Sequence, residues 1–309
     1  MNFCPFAACS TSASVESIHT SSEILVAVPN ALISESVDIF HLPSQRRVHT
    51  VNSVHQNGMA MNLSLFYKDS KLVLVAGFEN GCTSVHVLNE AEQAWTMTYR
   101  NQTHSQPILS LDIQIDYEFY IASSADAYIS KHPIPLTPQT VLSTKGEALT
   151  SPQIGPLPAG SSTEPADTFA QISASDKNTH TFSQKAWDEP IRVVNTRHSG
   201  QQSLAVRSDG KIFTTAGWDS NIRVYSCKTV KELAVLQWHT VGVYAVSFAE
   251  ILPVPNEPTA GETSTDSGEI VRGGQEHSSV RERRLQRVKK AHWLAAGAKD
   301  GKVTLWDIY

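Results

Sequence analysis

Histidine and aspartate recur in loosely matched pairs along this chain, and such pairs can do chemistry. His104 is followed by Asp126, His198 by Asp219 and His239 by Asp300. An imidazole held by a carboxylate is a general base, and beside a hydroxyl it becomes the base of a nucleophilic triad. The rest of that machinery is missing from the sequence. It contains no matched nucleophile elbow, no phosphate-cradling glycine loop and no HExxH pattern. The pairs are therefore read as structural, with no catalytic residue, no cofactor and no metal ligand.

The pairs sit at fixed places in a repeat. Residues 215–226 and 296–309 both read as strand, tight turn, strand. In each, a turn aspartate precedes an aromatic by six residues, Asp219 before Tyr225 and Asp300 before Trp306. Weaker copies place Asn80 six before His86 and Asp126 six before His132. A fifth, degenerate copy spans residues 24–28 and 36–41. The flanks alternate apolar and polar residues, as in 108–113 and 243–248, which is the period of a half-buried strand. No useful stretch carries a helical apolar stripe. Such repetition predicts an all-β propeller with about five visible blades.

The pattern resembles the WD40 repeat family, and the resemblance implies a four-residue network in each blade. Its members are a histidine in the loop entering the blade, a hydroxyl on the second strand, the turn aspartate and a third-strand tryptophan. The matching positions in the fourth blade are His198, Thr215, Asp219 and Tyr225, with Tyr in place of Trp. In the fifth they are His239, Ala296, Asp300 and Trp306, so the hydroxyl is lacking. In the third, His104 and Asp126 fit, whereas Ala122 and His132 depart. Each such bond contributes roughly 0.5–1.5 kcal/mol, so degenerate networks weaken the fold without abolishing it.

Composition agrees with one soluble β-rich domain over 1–309. Aromatics make up 8% and charged residues 18%, and the net charge of −5 gives no bias toward nucleic acid. Cys4, Cys9, Cys82 and Cys227 lack paired metal spacing and read as reduced, buried thiols. No apolar run reaches membrane-spanning length, and the first ten residues lack the basic region of a secretory signal. Two inserts, 133–181 and 253–280, are expected to be disordered. The first is rich in Pro, Ser, Thr and Ala and precedes an outer strand near 190–194. Within 281–290, Arg281, Arg283, Arg284, Arg287, Lys289 and Lys290 form a basic run, read evenly as an import or docking signal and as a solvated strand flank.

The chain stops on a third strand, and a propeller closes by pairing its ends. The expectation is an N-terminally shortened seven-bladed propeller lacking two blades and its closing strand; a closed five-bladed ring is the competing arrangement.

The combination of 213–225, 233–246 and 292–309, with Trp238-His239 where other WD40 repeats have Gly-His, is similar to the fungal ASTRA-associated protein 1 family. The start, 2–6, resembles an internal stretch of that family. The resemblance is specific over 190–309 and loose before it. It implies a nuclear, non-enzymatic scaffold tied to chromatin remodelling. Its implied partners are AAA+ ATPases, a kinase-like scaffold and that scaffold's cofactors, with no direct nucleic acid and no membrane. Candidate contacts are Trp187, Trp218 and the basic run, since Trp and Arg favour interface centres. The alternative is a substrate receptor of a ubiquitin ligase. It is disfavoured because no Arg stands two residues after either Trp-Asp pair. A propeller hydrolase would need convergent acids that the sequence does not supply.

Overall fold

The computed structural model describes residues 6–12, 23–53, 55–143, 181–250 and 291–308, together with 281, 284 and 288. Each alternating segment becomes a strand, and the strands group into blades in chain order. The first sheet is β1 (Ala7–Ser10), β2 (Ile24–Pro29), β3 (Val37–Leu42) and β4 (Arg46–Val51). The second is β5 (Ala60–Lys68), β6 (Lys71–Phe78), β7 (Thr83–Asn89) and β8 (Ala94–Asn101). The third takes β9 (Ile108–Ile113), β10 (Phe119–Ser124) and β11 (Tyr128–Pro133). A two-stranded ribbon follows, β12 (Gln139–Ser143) with β13 (Thr181–Lys185), before β14 (Arg192–Asn195) returns as the third sheet's outer strand. The fourth is β15 (Gln201–Val206), β16 (Ile212–Gly217), β17 (Asn221–Ser226) and β18 (Glu232–Gln237). The fifth, β19 (Val243–Phe248), β20 (Trp293–Ala298) and β21 (Val303–Asp307), has three strands among the described residues.

Alternation explains how the sheets stack. On a strand, successive side chains leave opposite faces. In β6, Leu72, Leu74 and Ala76 enter the core shared with the first sheet, while Val73 and Val75 enter the core shared with the third. In β10, Tyr120 and Ala122 face the second sheet and Ile121 faces the fourth. These two middle strands are therefore buried on both faces, and each clamps two neighbours at once.

The first strands neighbour one another in the order β1, β5, β9, β15, β19. Polar side chains tie them together. Asn62 donates to the Ile108 carbonyl at 2.8 Å, Ser110 Oγ accepts from the Leu204 amide at 3.1 Å, and Ser203 Oγ accepts from the Val246 amide at 3.2 Å. The same defect recurs in these strands. The register skips Met61, Leu109, Gln202 and Tyr244, each the second residue of its strand. A bulge at one fixed place in four blades re-aims one side chain per blade.

Two expectations about the inserts change. Pro133 still belongs to β11, and both described ends of the 133–181 segment pair as the β12–β13 ribbon. The β-branched Thr140 and Val141 within Gln139–Ser143 favour that pairing. Residues 144–180 and 253–280 lie outside the described residues. In the basic run, Arg281 and Arg284 are helical and exposed, which replaces the strand-flank reading there. Arg283, Arg287, Lys289 and Lys290 lie outside the described residues.

Candidate functional site

In the third blade the paired residues join a longer chain of bonds. His104, in the loop between β8 and β9, places Nδ1 3.0 and 3.1 Å from the two carboxylate oxygens of Asp126. Asp126 also accepts from the amides of Ser105 at 2.9 Å and Tyr128 at 3.1 Å. His104 Nε2 meets Ser130 Oγ at 2.6 Å, Ser130 Oγ meets His132 Nε2 at 2.7 Å, and His132 Nδ1 meets the Tyr99 hydroxyl at 2.7 Å. Tyr99 belongs to β8, so the relay crosses from the second blade into the third.

One arrangement of protons uses every hydrogen in this relay. Tyr99 O–H donates to His132, His132 Nε2–H to Ser130, Ser130 O–H to His104, and His104 Nδ1–H to Asp126, the tautomers being assigned from the bonds. Electrostatics agree with that direction. Burial pushes His132 down to about 3, so it stays neutral. Burial also pushes the Tyr99 hydroxyl upward. Burial alone would raise Asp126, but the bonds from His104 and the turn amides hold it below the ordinary carboxylate value. The negative charge thus sits at the end where all donors point.

Asp126, His104 and Ser130 have the connectivity of a nucleophilic triad, yet Ser130 is fully buried and His104 nearly so. The hydroxyl is held between two imidazoles and faces no cleft. The arrangement fastens two blades.

The hydroxyl comes from a different strand than the family resemblance implies. Ala122 is buried in the apolar core, and Ser130 on the third strand, two residues before His132, supplies the group. In the fifth blade, Thr304, two before Trp306, bonds His239 Nε2 at 3.0 Å and Trp306 Nε1 at 3.0 Å. In the second, Ser84 bonds His86 at 2.9 Å. The signal readable in the sequence is Ser-x-His, Ser-x-His, Thr-x-Trp, on the third strands; neither it nor Tyr99 is among the expected network residues.

The fourth blade replaces this arrangement. Arg223 occupies the hydroxyl position and grips Asp219 with both terminal nitrogens, at 3.1 and 2.5 Å. Burial would raise Asp219, but its bonds from Arg223 and Asn221 bring it to about 2. His198 is left partly exposed, 3.7 Å from Asp219. Thr215 is buried opposite Arg223 in the register, and Tyr225 is buried and stacked on Phe213 at 5.1 Å. Arg223 thus takes the hydrogen bonds of Asp219 that the network assigned to His198, which is left at 3.7 Å. The His239–Asp300 link also fails to form. Asp300 turns to Lys302 at 2.9 Å, and His239 Nδ1 is buried without a hydrogen-bond partner.

The exposed candidates lie elsewhere. Trp187 extends the edge of β8 by one residue, donating its amide to the Thr98 carbonyl at 2.8 Å and accepting from the Arg100 amide at 2.8 Å. Its indole N–H reaches the Thr137 carbonyl at 3.0 Å. Trp218, in the β16–β17 turn, donates to Gln202 Oε1 at 2.9 Å. A groove of about 550 Å³ opens beside β8, lined by Asp69, Lys71, Thr96, Thr98, Pro138 and Gln184 among others. Cys9, Cys82 and Cys227 are buried free thiols pushed up by burial to about 12, 11 and 12. Among the described residues no group of three or more metal-ligating side chains converges, and no helix is long and apolar enough to cross a membrane.

Residues 189–226 match the family described as "WD domain, G-beta repeat". That stretch begins before β14 and ends with β17, so the sequence repeat is offset from the blade by one strand. The chain is 45% identical to "ASTRA-associated protein 1" of Verticillium alfalfae, covering 100% of this chain and 65% of that protein. It is 41% identical to the protein of that name in Pyricularia oryzae, covering 100% and 73%. Against the one in Schizosaccharomyces pombe it is 28% identical, covering 80% and 59%. The chain thus spans about two thirds of the length of the relatives it matches. Among solved structures, the computationally designed Ika8 protein aligns with a TM-score of 0.50 at 13% identity, covering 98% of this chain and 57% of that one, a likeness of fold alone.

Proposed function

The chain belongs to the ASTRA-associated protein 1 family of WD40 propellers, and from that premise we propose that it is a non-enzymatic scaffold subunit of the ASTRA complex, acting in chromatin remodelling through protein–protein contacts. The observation that carries the non-enzymatic part is the burial of the His104–Ser130–Asp126 constellation, whose hydroxyl faces two imidazoles instead of a cleft. Its titratable groups are occupied in holding blades together. Large aromatic side chains are left on the loops, and Trp218 and Trp187 are half-exposed. Exposed tryptophans of this kind suit interface centres. On this reading the protein is nuclear, a single propeller domain carries the inserts, and the basic run with Arg281 and Arg284 serves as import or docking signal. The partners are AAA+ ATPases and a kinase-like scaffold with its cofactors.

Affinity purification of the tagged protein from fungal nuclei, followed by mass spectrometry, tests this. Stoichiometric recovery of those ATPases and the kinase-like scaffold is expected. Recovery of cullin adaptors in their place would mark a ubiquitin-ligase receptor and overturn the reading.

A further inference from the structure

Three aromatic side chains remain exposed where the fourth and fifth blades meet. Trp218 is 47% exposed, Trp238 56% and Tyr244 44%. Each is presented by a separate feature. Trp218 lies in the β16–β17 turn, with its ring pressed against Gly200. Gly200 has φ of +72°, and a Cβ there would fall 2.1 Å from the indole, so only glycine allows the ring to lie flat. The bulge residue Gln202 accepts the indole N–H at 2.9 Å and fixes the ring's orientation. Tyr244 is the bulge residue of β19, turned outward by the register skip. Trp238 opens the loop that ends at Gly242 and meets His239 edge-on at 5.1 Å between ring centroids, which leaves most of its face free.

Gly242 draws these features together. A Cβ at Gly242 would lie 3.2 Å from the Trp218 carbonyl oxygen and 3.2 Å from the Tyr244 ring. Its carbonyl accepts from the Lys299 amide at 3.0 Å, which brings the β20–β21 turn to the same spot. The charges on this face are unequal. Asp219 is held by Arg223, and Asp300 by Lys302. Arg197, next to His198 with its contact to Asp219, and Lys299, whose amide meets Gly242, are exposed cations.

We propose that Trp218, Trp238 and Tyr244, flanked by Arg197 and Lys299, form a docking face for an acidic peptide segment that carries an aromatic or aliphatic anchor. The inference rests on reading the chain as a protein-binding subunit and names the surface and the ligand chemistry. Aromatic rings supply contact area at low entropic loss, and the two cations select for acidic flanks and make binding salt-dependent. Trp238 has no role in the relay or in the blade cores.

A random dodecapeptide phage library selected on the immobilised full chain tests the proposal. Enriched sequences should combine an excess of Asp and Glu with at least one large apolar residue. A synthetic peptide taken from them should bind at least tenfold more weakly to Trp238→Ala and to Lys299→Glu, both with unchanged thermal unfolding. It should bind at least tenfold tighter than fluorescent oligo-dT. Absence of enrichment, enrichment without acidic excess, equal binding to the variants, or preference for oligo-dT would each overturn the proposal. Failure here is separable from failure of the scaffold reading. Recovery of the ASTRA partners by the tagged Trp238→Ala protein at wild-type yield would leave that reading standing while the docking face falls.

Discussion

Ser130 is the residue on which the third blade turns. Its one hydroxyl serves two imidazoles, so Ser130→Ala leaves His104 Nε2 and His132 Nε2 buried without partners. Each unmet buried group costs about 1–3 kcal/mol, so the variant should lose roughly 2–6 kcal/mol in urea denaturation. A loss below about 0.5 kcal/mol would show that the relay carries no weight. His104 and Asp126 were legible because the turn aspartate stands six residues before His132, and the loop histidine precedes that aspartate by 22, close to the 21 between His198 and Asp219. Ser130 was not, since which hydroxyl meets an imidazole depends on strand register, and the interval alone fits either strand. Arg223 was harder still. A charged residue in a strand reads as solvent-facing, but here it is buried because Asp219 neutralises it.

At the scale of the element, the alternating segments were readable because a strand with one buried face repeats its apolar side chains every second residue. The outer strand near 190–194 was readable for the same reason and pairs as β14. The ends of the first insert were read as loop because composition averages over a long window, whereas the β12–β13 ribbon needs only five residues from each end. Glycine marks the tighter element. Gly200→Ala combines a left-handed backbone with a collision against the Trp218 ring, so a loss of about 1–3 kcal/mol is expected. The displaced indole should also shift Trp fluorescence in the folded state. An unchanged emission spectrum and unchanged stability would mean that the ring does not lie over Gly200.

Across the whole molecule, buried titratable groups set how stability follows pH. Burial depresses His132 to about 3 and His86 to about 4, below the ordinary 6.5. The unfolded chain therefore binds protons that the folded chain refuses, and stability falls as pH drops below 6.5. Asp112 acts in the opposite sense. Although it accepts from the Val206 and Ile113 amides, burial raises it to about 6 from 3.8, so between those values the folded state holds the extra proton and gains as pH falls. Two histidines against one aspartate leave about one net proton, or roughly 1.4 kcal/mol lost per pH unit between about pH 6 and 4. His49, also lowered by burial, adds to the loss. Urea midpoints across that range check the slope, and stability that holds or rises on acidification would contradict it. Because β6, β10 and β16 are each shared by two cores, the loss should appear as one cooperative transition, seen alike by circular dichroism and fluorescence.

The most direct test of the claim that the chemistry-bearing residues hold the fold, and leave function to the exterior, is a single ratio. Tagged wild type and Ser130→Ala would be purified at a temperature where both are folded, and partner subunits counted per folded propeller. The expected result is an equal ratio despite the lower stability of the variant. Fewer partners per folded propeller in Ser130→Ala than in wild type, or loss of any reaction the complex performs, would contradict it.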